Sequence, residues 1–265
     1  MPSTPDRNLH VAPEAPNSTA REQVTATLAQ SQSPQEIIET LKLNEQYEAR
    51  LEGLKFFGFT NPDGTPKQND ATLPSGESVI NSFSPDELQV AGKYKEPVLV
   101  LIPKSSFSSM VVAMNDKRDE LGLRNNVYYE LSFKNSDSGS NVIKGWMAAI
   151  IEGTSQLVIN SNDDVNQALS FRTKNNRQCR QPGERGVDRN KELMLLMELI
   201  RMGKNPEELS EMVVLDDDTE CTHENAPLAF VIKNVGRITF VNVRPNYPKP
   251  LCRFRSSVGG SNVID

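Results

Sequence analysis

The first strong pattern of apolar and polar residues has helical spacing. Ser33 can cap a helix, Pro34 suits its first position, and Glu36 completes a capping box. The apolar residues that follow recur at helical intervals: Ile37, Ile38, Leu41, Tyr47, Leu51 and Leu54. The pattern predicts a helix that begins after Ser33 and ends before Gly58 and the turn at 61–64.

One buried strand and two further helices are predicted next. Ser84-Pro85-Asp86-Glu87 repeats the Ser-Pro-x-Glu start and predicts a short helix to about Lys93. The run PVLVLIP, residues 97–103, has no polar alternation, which predicts a strand buried on both faces. Another helix is predicted to end near Gly122, with one apolar side made of Phe107, Met110, Val111 and Met114.

Strand patterns dominate the second half of the chain. The predicted strands cover 126–133, 144–153, 157–159, 212–215 and a hairpin over 227–245, with helices predicted at about 163–171 and 189–202. Because no regular βαβ rhythm is present, the predicted fold class is α+β, with a mainly antiparallel or mixed sheet and several packed helices.

The chain divides into an N-terminal leader and a folded part. Residues 1–32 contain four prolines, many small polar residues and no aromatic residue, which predicts a disordered leader. Residues 33–265 are expected to form a single α+β domain, with a sub-division near residue 160 as the alternative.

Composition and charge are the basis for predicting the cellular location of the protein. The net charge of −6 gives no reason to expect whole-protein attraction to nucleic acid or to an anionic membrane. The longest apolar runs are far shorter than the roughly 20 residues that span a bilayer. The N-terminus lacks the apolar core of a signal peptide, and the three cysteines are odd in number and widely spaced. We therefore predict a cytoplasmic protein with reduced thiols and no membrane partner.

Basic charge is concentrated in two segments. Residues 172–191 hold seven basic and two acidic residues, a net charge of +5, and residues 225–264 hold six basic residues and no acid. The basic and acidic segments either solvate separate faces or neutralise one another in the fold, or the two basic segments converge into one anion-binding face. Arginine outnumbers lysine in both, and its planar guanidinium suits bidentate contact with phosphate or carboxylate.

The first basic segment runs into the predicted helix 189–202. Asp188 is placed to cap this helix, and Gly203 suits the left-handed position after it. Arg185 and Arg189 crowd the positive pole of the helix dipole, where a bound anion would relieve repulsion. The alternative is a self-capped surface loop in which Glu184 and Asp188 already supply the negative charge.

The second basic segment ends in LCRFRSSVGG, residues 251–260. In a strand, Arg253 and Arg255 would share one face. This segment is either a final edge strand protected by its charges, or a strand whose arginines join Arg180 and Arg185. The chain after the glycine pair at 259–260 can be flexible. The predicted anion-binding residues, which require the two segments to meet, are Arg180, Arg185, Arg189, Arg253 and Arg255.

Other chemistry has little support. Cys221 and His223 lie two apart in an acidic run, but the paired spacing of a zinc site is missing, so no metal is predicted. With His10 and His223 as the only histidines and no G-x-S-x-G motif, a Ser-His or Cys-His hydrolase is not expected. No cofactor is predicted, and no catalytic residue can be assigned.

Three functions are compatible with these observations. The first is a non-catalytic binding protein with an arginine-rich face for an acidic or phosphate-bearing ligand or protein. The second is an enzyme that binds a phosphorylated or acidic substrate with arginines and uses an Asp or Glu as acid and base. The third is nucleic-acid binding through the basic segments alone. The sequence does not decide whether the chain is an enzyme.

Overall fold

The computed structural model describes residues 32–65, 67, 72–129, 145–154, 156–157, 183–205, 209, 212–215, 226–232, 237–243 and 252–264. Within these ranges the helices are α1 (Pro34–Thr40), α2 (Leu43–Phe56), α3 (Gly76–Asn81), α4 (Pro85–Ala91), α5 (Phe107–Asp116) and α6 (Arg189–Arg201). The leader predicted over 1–32 and the helix predicted at 163–171 lie outside the described residues, apart from Gln32.

The described strands form two sheets. They are β1 (Pro97–Ile102), β2 (Tyr128–Tyr129), β3 (Trp146–Glu152), β4 (Gln156–Leu157), β5 (Arg185–Gly186), β6 (Met212–Val214), β7 (Ala226–Ile232), β8 (Arg237–Val243), β9 (Cys252–Phe254) and β10 (Ser256–Ile264). The first sheet has the order β1-β3-β10-β5 and the second the order β2-β8-β7-β6-β9-β4. The first sheet is antiparallel throughout, whereas the second also contains parallel pairs. The predicted α+β class is confirmed.

The predicted helix starts are confirmed in their atomic detail. Ser33 and Ser84 each form a reciprocal capping box, with Glu36 and Glu87 respectively. Asp188 accepts the N–H of Lys191 at 2.9 Å, as its N-cap position predicts. A short polar side chain saturates backbone donors that a helix start leaves free, so these starts are readable from sequence.

The helix predicted between Ser33 and Gly58 is two helices. At roughly 100° per residue, Leu43, Tyr47 and Leu54 would lie about 120° away from Ile37 and Leu41 around one continuous helix. A single straight helix therefore could not bury both groups of residues against one core, yet all five side chains are buried. Lys42 makes the change of direction, with φ 52° and ψ 41°.

The Gln46 side chain holds this junction against the first sheet. Its Nε2 donates to the carbonyls of Leu41 at 2.9 Å and Pro97 at 3.1 Å, and its Oε1 accepts from Leu99 N at 2.7 Å. Although the helix breaks here, the backbone carbonyl of Leu41 thus still accepts a hydrogen bond.

The first sheet lies at the centre of the core. β1 is buried along nearly its whole length, as its unbroken apolar run predicts, and it pairs with β3 from Pro97–Glu152 to Ile102–Met147. α2 and α6 both pack on β1, and α5 packs against α6. The four apolar residues of α5 that were predicted to share a side are all buried.

Helix α6 is buried on all sides rather than on one apolar side. Twelve of its thirteen residues are buried, including Glu192 and Glu198. The Glu198 carboxylate lies 2.7 Å from the Arg50 guanidinium of α2 and 2.8 Å from that of Arg201. Burial raises the pKa of Glu198, and the guanidiniums of Arg50 and Arg201 offset part of that rise. The polar residues that looked like a solvent-facing side are thus paired inside the protein.

The end of the chain also differs from the sequence prediction. β9 is not an edge strand, because it pairs with both β6 and β4. The glycine pair, after which the chain was expected to be flexible, lies within β10, an inner strand between β3 and β5. Gly259 has φ 75°, and a Cβ there would lie 2.6 Å from Phe83 Cε1 and 2.8 Å from Ala148 O. The glycine that suggested flexibility is required by close packing.

Candidate anion-binding site

The two basic segments meet through the backbone of the first sheet. β5 pairs with β10, with Arg185 opposite Ser257 and Gly186 opposite Ser256. The Ser257 hydroxyl also donates to Gly186 O at 2.9 Å. The two basic segments therefore meet along residues 185–186 and 256–257, which does not by itself bring the predicted arginine side chains together.

Arg255 turns inward from this junction. Its side chain is about 1% exposed, and its Nε lies 3.1 Å from the Glu192 carboxylate. Its Nη1 also donates to the carbonyls of Glu152 and Gly153. The guanidinium of Arg255 thus joins α6 to the end of β3 and does not face solvent.

The remaining predicted arginines have different surroundings. Arg189 is 2% exposed, with its guanidinium carbon 5.6 Å from the centre of the Phe107 ring. Arg185 is exposed. Arg180 and the side chain of Arg253 lie outside what the structure describes. Among the three predicted arginines whose side chains are described, Arg185 alone is at the surface, so its anion-binding role stays a prediction.

A cleft with basic and apolar walls lies elsewhere, between α5 and the end of α2. Its volume is about 440 Å³, within the usual range for small-molecule sites. It is lined by three lysines, Lys67, Lys104 and Lys117, and by one acidic residue, Asp116. We refer to it below as the lysine cleft.

One wall of the lysine cleft is a single face of α5. Ser109, Val112, Ala113, Asp116 and Lys117 recur at intervals of three and four residues, which places them along one side of this helix and its C-cap. From Ser109 to Lys117 this face is roughly 12 Å long. It is apolar in the middle, where Val112 is 57% exposed, and polar at both ends.

The opposite wall is aromatic. Phe57 and Phe59 lie beyond the last turn of α2, and Gly58 between them has φ 75°. Lys67 is tied to this wall because its N–H donates to Phe59 O at 3.4 Å. A Cβ on Gly58 would lie 3.2 Å from Lys67 Nζ, so the ammonium group lies close to this backbone.

The floor of the cleft contains Trp146, the first residue of β3. Its side chain is 3% exposed, and its indole Nε1 has no hydrogen-bond acceptor within the described part of the chain. A buried N–H without an acceptor costs stability. Among the described residues, the Trp146 N–H therefore has no acceptor.

The three lysines differ in how firmly they are held. Lys117 Nζ lies 2.8 Å from Glu120 Oε1 and 5.0 Å from the centre of the Phe56 ring. For Lys67 and Lys104, the described residues provide no carboxylate within ion-pair distance. Lys104 follows β1 and comes just before Ser106, the N-cap of α5, so it adds charge near the positive end of this helix.

The lysine cleft was not predicted, and one part of it could have been. Lys104, Ser105 and Ser106 lie between a buried strand and a helix start, where anions commonly bind. The other contributors, Lys67 and Trp146, come from distant parts of the chain. Phe57 lies in a predicted helix and Trp146 in the strand predicted over 144–153, and no sequence pattern connected them.

Comparison with known proteins places no constraint on this site. No protein-family model matches the chain, and neither the curated proteins nor the solved structures give a match. In the described ranges, no helix is both long enough and apolar enough to cross a bilayer.

Proposed function

We propose that the chain is a non-catalytic binding protein, and that its ligand is a small organic anion held in the lysine cleft. The observation that carries the proposal is that three lysines line a cleft with an apolar helix face and an aromatic wall. Such a site suits a carboxylate or phosphate attached to an apolar or aromatic body. The cytoplasmic location belongs to this proposal as a prediction.

In the lysine cleft, the lysines and the apolar side chains would contact different parts of the ligand. The ammonium groups of Lys67 and Lys104 lack carboxylate partners among the described residues, so a ligand anion would supply one. The apolar centre, formed by Val112 and Ala113 with Phe59 opposite, would cover the body of the ligand.

Binding is favoured over catalysis by the residues present. Asp116 is the one carboxylate among the described lining residues, and it is exposed. A general acid or base is expected to be partly enclosed next to the groups that bind substrate. We therefore place the enzyme alternative second, and nucleic-acid binding through the basic segments third.

The test uses a matched series of ligands with the full chain. Phenyl phosphate and octanoate carry both an anion and an apolar body, whereas phenol, octanol and inorganic phosphate each lack one of them. We expect the first two to raise the melting temperature and to bind at least about tenfold more tightly in calorimetry than the others. Equal affinity for the neutral alcohols, or no binding within the series, would contradict the proposal.

Two variants locate the binding. Lys104→Glu should lower the affinity for phenyl phosphate by at least about tenfold, because an anion replaces a cation beside the ligand. Lys95→Glu, at an exposed lysine outside the cleft, is the charge-matched control and should leave affinity unchanged. Equal effects of the two variants would point to overall charge rather than to the cleft.

A further inference from the structure

A second concavity of about 360 Å³ lies where the chain after α5 meets the start of β8. Its polar lining consists of Arg118, Arg124, Asn125, Asn126, Tyr128 and Arg237. The described lining contains three guanidinium groups and no carboxylate. We refer to it as the arginine pocket, which is separate in its residues from the lysine cleft.

The segment 118–127 is held in place by its own buried residues. Leu121, Leu123 and Val127 are buried, and Asn115 Oδ1 accepts the Val127 N–H at 2.7 Å. Leu123 N donates to Arg118 O at 2.9 Å, which closes the turn after α5. Arg118 and Arg124 are therefore carried on an anchored loop.

The second sheet brings Arg237 to this loop from more than a hundred residues along the chain. β2 and β8 are parallel, with Tyr128 beside Thr239 and Tyr129 beside Phe240. Extending this register by two residues places Asn126 level with Arg237. Tyr129 is fixed in turn by an edge-to-face contact with Phe107, at 5.6 Å between ring centres.

The side chains that line the arginine pocket suit an anion with a flat ring next to it. Arg118 is oriented by Asp119, at 2.8 Å, and by Asn126 Oδ1, which accepts from its Nη1 at 3.3 Å. Three arginines in one lining provide planar, multiply donating groups that suit the oxygens of an anion. The Tyr128 ring is 49% exposed in the lining, although large aromatic side chains usually bury most of their surface.

We propose that the arginine pocket binds a phosphate group with a planar ring beside it, as in a nucleoside monophosphate. The guanidinium groups of Arg124 and Arg237 contact the phosphate oxygens, and the ring stacks on Tyr128. The same chemistry occurs in a free nucleotide and at the 5′ end of a nucleic-acid strand. This site is additional to the proposed function and does not depend on the lysine cleft.

The experiment measures the affinity of the full chain for adenosine monophosphate, ribose 5-phosphate and adenosine by calorimetry at low salt. We expect adenosine monophosphate to bind most tightly, ribose 5-phosphate about tenfold more weakly, and adenosine not to bind measurably. Binding should weaken as salt is added. A 5′-phosphorylated dinucleotide distinguishes the source: binding no tighter than the mononucleotide indicates a pocket for the free nucleotide.

Variants assign the binding to residues. Arg237→Glu should weaken adenosine monophosphate binding by at least about tenfold, because charge-assisted hydrogen bonds to phosphate are lost. Tyr128→Ala should weaken adenosine monophosphate binding while leaving ribose 5-phosphate unchanged. Lys95→Glu, at an exposed lysine that lines neither the arginine pocket nor the lysine cleft, is the matched control and should leave affinity unchanged.

Three results would overturn the inference. The first is that no phosphate-bearing probe binds. The second is that Arg237→Glu and Lys95→Glu have equal effects. The third is that binding is lost in Lys104→Glu and retained in Arg237→Glu, which would assign the nucleotide to the lysine cleft instead.

Discussion

At the scale of single residues, the most informative charged side chains are those buried in ion pairs. Glu198 is paired with Arg50 and Arg201, and Glu192 with Arg255, at exposures of a few per cent for most of these side chains. Exposed charge is the ordinary expectation, so sequence reasoning assigned Arg255 to a surface. The partner of Arg255 lies 63 residues earlier, and no local spacing indicates such a pair.

The Arg50–Glu198 pair should have a strong coupling energy. Because removal of one partner leaves the other charge buried, Glu198→Leu and Arg50→Met should each lower the free energy of unfolding by about 3–5 kcal/mol. The double variant should lose less than the sum of the two. Denaturant unfolding measures all three variants, and additive losses would show that the pair is not coupled.

An exposed ion pair provides the comparison. Lys42 and Glu45 lie 3.5 Å apart with both side chains more than two-thirds exposed. Such pairs contribute little to stability. Glu45→Ala should therefore change the midpoint of unfolding far less than either buried substitution, and an equal change would indicate a general effect of charge removal.

At the scale of secondary-structure elements, the starts of helices were predictable and their continuity was not. Ser33, Ser84 and Asp188 cap helices where the sequence places them, because capping depends on residues within one turn. The break between α1 and α2 depends on which residues the sheet buries. The apolar residues up to Leu41 and those from Leu43 onward would lie on different sides of one straight helix. This change of side was the sequence signal for the break, since a straight helix cannot bury both sets of residues.

Lys42 tests this explanation of the break. A non-glycine residue in the left-handed region is strained by about 1 kcal/mol relative to glycine. Lys42→Gly should therefore raise the free energy of unfolding by roughly 0.5–1 kcal/mol, less any contribution from the exposed pair with Glu45. Denaturant unfolding measures the change. Destabilisation would mean that the Lys42 side chain contributes more than its backbone strain costs.

At the scale of the whole molecule, the sequence predicted the fold class, left open whether the two basic segments meet, and did not identify either concavity. The lysine cleft combines Lys67, Lys104 and Trp146, and the arginine pocket combines Arg118 with Arg237. Each set is assembled by packing between segments that are far apart in the chain. A charge count along the sequence detects the residues of such sites without detecting which of them meet.

The order of the first sheet makes its assembly depend on residues 256–264. β10 fills the place between β3 and β5, and its backbone pairs with both. A chain shortened after Arg255 should lose cooperative unfolding and aggregate, because β3 would present an open apolar edge. Circular dichroism melting and light scattering measure these effects, and a synthetic peptide of residues 252–264 should reverse them. A shortened chain that melts cooperatively and stays monomeric would contradict this prediction.

The same strand order has a consequence for biosynthesis. As the chain leaves the ribosome, β1 and β3 can pair with each other. The second edge of β3 stays unpaired until about a hundred further residues have been made and β10 is available. Contacts between such distant segments form slowly, and an unpaired apolar strand is open to other chains during that interval. The slowest step in producing this protein is therefore expected to be the closing of its central sheet, with yield limited by aggregation before that step.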